Sequence, residues 1–232
     1  MTRSRRGVAR DGLLVLLTMT TGAVDASCFL HLGNVFSSVI TGNLILLGVS
    51  AATASSSLAI HSGTALAGYS VGVLIGAPIA TRWASSCETW PLSVTVTLVA
   101  EFCVLAGFSV GWELTGGSPG SAAELLLIAA LAVAMGIQSA AVRELGGMST
   151  TYLTGTLTAV ISDLATRDRK PGLARSVGVL AAVVFGAVAG GLVAEHAPLW
   201  LPAVILTPLA VVVIASITFE MAGARAGPRR DR

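Results

Sequence analysis

Six long apolar runs constrain this chain more than any other feature. They fall at 12–32, 60–81, 92–112, 122–142, 173–194 and 199–219. Each has about the 20 residues that a helix rising 1.5 Å per residue needs to cross ~30 Å of hydrocarbon. Open strands are not an option there, because unpaired backbone groups are too costly in lipid. Of the 232 residues only 11% are charged, against about 25% in a soluble domain. Too few polar side chains remain to cover a water-facing surface. A disordered chain, a nucleic-acid binder and an ordinary globular enzyme are thereby excluded, and the bilayer becomes the expected partner.

Two further apolar runs, 37–52 and 149–165, are shorter and richer in Ser and Thr. They predict helices of about 24–26 Å, slightly short for a crossing. Each follows a glycine-containing break, at Gly33-Asn34 and at Gly146-Gly147. The two breaks align. At an offset of 113, Leu32, Gly33, Thr41, Gly42 and Leu44 meet Leu145, Gly146, Thr154, Gly155 and Leu157. Ser37 and Ser38 meet Thr150 and Thr151, and Gly22 meets Gly136 after a one-residue gap. At an offset of 114, Gly72 and Gly76 meet Gly186 and Gly190. Several matches in one order predict an internal duplication. The expected organisation is a basic N-terminus (1–11), a first repeat (12–112), a linker (113–121), a second repeat (122–219) and a basic tail (220–232).

Charge placement predicts the topology. Twelve of the fourteen Lys and Arg lie in three clusters, at 3–10, 167–175 and 225–232. If six runs cross and the two short ones dip in and return, these clusters share one face with Arg82 and Arg143. If all eight cross, Arg82 and Arg143 change sides. The positive-inside rule favours six crossings, with both termini cytoplasmic. Three crossings per repeat make the halves antiparallel, a common plan of secondary transporters with broken helices. The Arg5-Arg6 pair and the apolar start also suggest a signal peptide. Apolar character continues to Phe219, however, so a retained first helix is simpler.

Few residues here can carry chemistry. Asp25 lies deep in the first run, where a carboxylate costs roughly 2.5–3.5 kcal/mol on insertion scales. It is expected to face the interior, with Thr21 and Gly22 on the same helical face. It reads either as a cation or substrate contact, or as a structural carboxyl capping broken backbone near Gly33 or Asn34. Glu101, midway along the third long run, is a second proton-active candidate. Gln138 and Ser139 stand where the first half has Val24 and Asp25. Arg143 is expected to snorkel to water. Thr41, Asn43, Thr151 and Thr154 are expected to line a cavity, since irregular backbone in a membrane borders one. The stripes Gly68, Gly72, Gly76 and Gly186, Gly190 predict tight helix packing, within the chain or in a homodimer.

The remaining signals are bland. Cys28, Cys87 and Cys103 have no metal spacing, and the first and last sit in apolar runs as small packers. His31, His61 and His196 lie near run ends without a metal-binding pair. Trp83, Trp90, Trp112 and Trp200 read as interface anchors. Phosphate-loop, nucleophile-elbow and zinc motifs are absent from the sequence, so neither an enzyme nor a cofactor is expected.

Gly22-x-x-Asp25-Ala26, then Thr41-Gly42-Asn43, with Gly136-x-Gln138 and Thr150-Thr151-x-x-Thr154-Gly155, resembles the YoaK-like family. These are bacterial multi-pass inner-membrane proteins built on a domain of unknown function. The resemblance spans nearly the whole chain and implies a plasma-membrane protein of this size. It implies no substrate or catalytic residue. Where the family often has Asn after the Gln, this chain has Ser139. The architecture predicts a transporter of a small solute or ion; the alternative is a non-transporting scaffold assembled through its glycine stripes.

Overall fold

A computed structural model describes residues 3–82, 90–145, 153–166 and 172–225. Those residues form eight α-helices and one 3₁₀ turn, with no strand among them. The helices are α1 (Arg3–His31), α2 (Ile40–Ala52), α3 (Ser56–Thr81), α4 (Leu92–Leu114), α5 (Ser121–Glu144), α6 (Leu153–Ala165), α7 (Leu173–His196) and α8 (Leu201–Arg225). Six are long and apolar enough to cross a membrane, and they coincide with the six long runs. α3 starts four residues earlier than its apolar run, because Ser55 Oγ accepts the Leu58 N–H at 3.4 Å and caps the first turn. α2 starts later than its run, because Ser37 and Ser38 are engaged elsewhere, as described below.

Glycine decides which helices touch. In lipid the hydrophobic effect does not draw helices together, so close van der Waals approach has to. A Cβ on Gly72 would lie 2.1 Å from Val133 O, and one on Gly136 would lie 2.3 Å from Tyr69 O. A Cβ on Gly186 would lie 2.1 Å from Met19 O, and one on Gly22 would lie 2.2 Å from Val183 O. α3 thus presses backbone to backbone on α5, and α1 on α7. In both pairs the register rises in the same sense: Gly68, Gly72 and Gly76 meet Ala129, Val133 and Ile137, while Gly186 and Gly190 meet Met19 and Ala23. Each pair is therefore parallel. The stripes are used up inside the chain, which removes them as a homodimer surface. Gly42 and Gly155 depart from the packing expectation. Gly42 has only the nearby Phe36 and Val39 side chains beside it, and Gly155 has nothing within 4 Å. Gly146 and Gly147 lie outside the described residues.

The two parallel pairs run in opposite directions. A Cβ on Gly33, just past α1, would lie 2.1 Å from the His61 ring near the start of α3. The end of α1 and the beginning of α3 thus share one end of the bundle, and α2 leaves and returns there without crossing. α5 runs with α3 and α7 with α1, so α6 leaves and returns at the opposite end. We refer to these as the His31 end and the Asp11 end. Six helices cross and two do not, as the charge pattern predicts. Arg82, Arg143 and Arg175 all fall at the Asp11 end. Arg143 is exposed there, and Arg175 Nη1 pairs with Asp11 Oδ1 at 3.1 Å.

The helix pairing is reciprocal. Exchanging α1–α4 with α5–α8 turns α1·α7 into α3·α5, α1·α8 into α4·α5, α2·α3 into α6·α7, and α3·α4 into α7·α8, and every one of these pairs is packed. α1 and α5 are the most buried of the six crossings. Apolar side chains such as Leu74, Leu126, Phe185 and Ile214 point outward, as a lipid-facing surface requires. Cys28 is buried as a packer, whereas Cys103 is on the exposed side. Trp112 is also not an interface anchor: it is fully buried, and its Nε1 donates to Pro198 O at 2.7 Å, tying α4 to the α7–α8 connection.

Candidate functional site

The break after α1 is built by two consecutive left-handed residues, Gly33 (φ 70°) and Asn34 (φ 58°). His61 leaves no room for a side chain at the first, and Asn tolerates this conformation better than most residues at the second. Asn34 Nδ2 donates to Phe29 O at 3.2 Å, meeting a free carbonyl of the last turn. Phe29 and Phe36 stack with centroids 5.1 Å apart, which turns the chain back along α1.

The returning segment meets Asp25. One carboxylate oxygen, Oδ1, accepts the Ser37 N–H at 2.9 Å, the Ser37 hydroxyl at 2.7 Å and the Ser38 N–H at 2.8 Å. The other, Oδ2, accepts the Ser38 hydroxyl at 2.5 Å. Asp25 lies six residues before the end of α1, about 9 Å down its axis. Its carboxylate therefore fixes how deep the re-entrant segment reaches. Asn43 secures the next turn, its amide pairing with Phe36 in both directions: Phe36 N donates to Oδ1 at 3.0 Å and Nδ2 donates to Phe36 O at 2.5 Å. Asp25 and Asn43, expected as solute contacts, are brought together here as the two pins of one loop, with their polar atoms turned onto its backbone and its serine hydroxyls.

One helical turn from Asp25, the polar face of α1 reaches the other half. Thr21 Oγ1 lies 2.8 Å from Gln138 Oε1, and Gln138 Nε2 donates to Leu17 O at 3.2 Å. This node joins α1 to α5, one helix from each glycine-packed pair. Glu101 stands apart from it. It is fully buried in α4, and neither carboxyl oxygen has a hydrogen-bond partner. Thr41 and Thr154 do not line a cavity with these groups. Both are exposed, because α2 and α6 turn these positions away from the bundle. Thr151 lies outside the described residues, as do Cys87 and Trp83.

A largely polar pocket of about 310 Å³ opens at the His31 end, lined by Gly33, Asn34, Ser55, Ser57, Leu58, His61 and Glu124. His61 Nε2 is 3.4 Å from Glu124 Oε1, and His61 Nδ1 is 2.6 Å from Ser57 O. The sequence reading passed over both residues. His61 resembles an ordinary run-end histidine, and Glu124 is 63 positions away on another helix. Only α3–α5 packing brings them together. A similar pair, His31 Nε2 and Glu195 Oε1 at 3.6 Å, joins α1 to α7 at the same end.

Six helices long and apolar enough to cross a membrane, with one short helix at each end of the bundle, define a multi-pass helical membrane protein. The family model described as "Protein of unknown function (DUF1275)" matches residues 13–216. The UPF0700 transmembrane protein YoaK of Bacillus subtilis (strain 168) is 33% identical over 212 residues, covering 85% of this chain and 91% of that protein. This chain belongs to the DUF1275 family, as the paired motifs of its two halves predict. No solved structure matches it.

Proposed function

We propose that this protein is a secondary transporter that carries a small solute or ion across the bacterial plasma membrane by alternating access, without covalent chemistry. The observation that carries the proposal is the reciprocal packing of two antiparallel halves. Together with the aligned motifs, it supports an inverted internal duplication. Two arrangements of such a bundle, one open at each end, have similar contacts and hence comparable energy. The glycine-tight pairs α1–α7 and α3–α5 are the natural rigid bodies. Each contains one helix from each half, and they tilt against one another about the Gln138–Leu17 contact. Asp25 and Asn43 keep the re-entrant segment fixed to α1 during that motion. Arg82, Arg143 and Arg175 at the Asp11 end support placing that end, with both termini, in the cytoplasm.

The test is double electron–electron resonance on spin labels across each end. Labels replace His196 and Ala122 at the His31 end, or Val8 and Arg143 at the Asp11 end, in a background free of accessible cysteine. Across a solute panel and an imposed proton gradient, the two distances are expected to change in opposite senses. Invariant single distributions at both ends would overturn transport and leave a rigid membrane scaffold.

A further inference from the structure

The pocket at the His31 end has an unusual balance of hydrogen-bonding groups. His61 Nδ1 lies 2.6 Å from the Ser57 carbonyl oxygen, which can only accept, so the ring carries its proton there. In the neutral ring Nε2 is then a lone pair, facing the Glu124 carboxylate at 3.4 Å without a hydrogen bond. Asn34 uses its amide N–H on Phe29 O and keeps its Oδ1 as an acceptor. Ser55 Oγ already accepts from Leu58 N. The pocket thus offers one carboxylate, one amide oxygen and two serine hydroxyls that can also donate, and its only ring N–H is already engaged. Its size, about 310 Å³, is at the lower limit for small-molecule sites.

We propose that this pocket binds a small ammonium or primary-amine cation, and that a proton on His61 displaces it. The proposal rests on the transport reading and names its solute class. A cation bearing N–H donors satisfies the carboxylate, the Asn34 oxygen and the serine hydroxyls together. Glu124 is the wetter partner, with 22% of its side chain exposed against 13% for His61. The cation sits on Glu124 from the pocket side, while the enclosed Nε2 accepts only a proton. That proton, taken from water, turns the imidazole into the counter-ion of Glu124 and cancels the pocket's charge. A cation and a protonated imidazole competing for one carboxylate are the minimum that exchange transport requires.

Few other ionisable groups stand near. α2 carries none. On α3 the other titratable residue is Tyr69, two turns away. On α4 the group at this end is Glu113, which is exposed. On α1, Asp25 is bound by Ser37 and Ser38, His31 faces Glu195, and the buried Cys28 thiol lies within electrostatic reach of Glu124 and Asp25.

The experiment is thermal unfolding of the full chain in lipid nanodiscs with methylammonium chloride, at about pH 8 and about pH 5.5. At about pH 8 a hundredfold excess over Kd should raise Tm by several degrees. The rise should shrink at least tenfold in apparent affinity at about pH 5.5. Glu124→Gln should abolish it, and Glu195→Gln, at the other His–Glu pair, should preserve it. His61→Gln should bind methylammonium equally at both pH values, a readout that does not depend on Glu124→Gln folding. An equal effect of tetramethylammonium, which lacks N–H donors, would overturn the solute class. So would a response to zinc chloride alone, whereas wild-type binding that ignores pH would overturn displacement by a proton. Methylammonium binding with static spin-label distances would overturn transport and leave a cation site. Moving distances without methylammonium binding would overturn the solute class alone.

Discussion

Asp25→Ala removes the acceptor for four donors on two consecutive residues. The two Ser hydroxyls can rotate to main-chain carbonyls, so their loss costs little. The Ser37 and Ser38 N–H groups cannot, because both serines are buried and the segment is held on α1 by Phe29–Phe36 stacking. An unmet buried donor costs about 1–3 kcal/mol, which puts the pair at roughly 2–6 kcal/mol. Asp25→Asn keeps one carbonyl oxygen for those N–H groups and offers its amide to the Ser38 hydroxyl. It loses mainly the charge assistance of the hydrogen bonds, about 1–2 kcal/mol. Much of the loss should appear as local opening of 35–39 and α2 rather than as global unfolding. Two measurements check this: reversible unfolding in mixed micelles, and the maleimide reactivity of Val39→Cys, placed where the parent side chain is 43% exposed. Reactivity should rise in the order parent, Asp25→Asn, Asp25→Ala. If Asp25→Ala unfolds within about 0.5 kcal/mol of the parent and leaves that thiol equally protected, the carboxylate is not a pin.

Two further substitutions probe the core. Gly72→Ala drives a methyl to 2.1 Å from Val133 O, so unfolding should show a loss of about 1–3 kcal/mol or more. Gly107→Ala, on the same criterion with nothing within 4 Å, should be neutral or gain up to about 1 kcal/mol from helix propensity. Glu101→Leu removes a buried carboxyl without hydrogen-bond partners and should stabilise the fold by about 1–3 kcal/mol in the same assay. A loss of that size would mean that Glu101 has a partner in the membrane-embedded protein.

Much of the architecture was legible in one dimension. Run length against bilayer thickness identifies the six crossings, and the placement of Arg82, Arg143 and the basic clusters selects six over eight. Both are properties of contiguous sequence. The glycine stripes at Gly68–Gly72–Gly76 and Gly186–Gly190 announce close packing, but periodicity on one helix does not name its partner. Nothing in the pattern says that α1 packs on α7 rather than on α3. The roles of the polar residues were legible only as alternatives. Asp25 carried both a binding and a capping reading, and its partners, 12 and 13 positions away across a reversal of the chain, favour capping. Thr41 and Thr154 share the residue types of their neighbours but point outward, because helix rotation is set by packing and not by composition.

By itself the sequence determined that this chain lives in lipid, how many of its helices are long and apolar enough to cross, where along the chain the basic residues cluster, and that its two halves share motifs. Those follow from transfer free energy, helix rise and residue order, which need no partner to be defined. Only the tertiary structure decided that the halves interlock through parallel pairs, that Asp25 and Asn43 hold a loop, and that His61 meets Glu124. Each of those depends on the distance between residues far apart in the chain. In a bilayer that distance is chosen by which backbones can approach most closely.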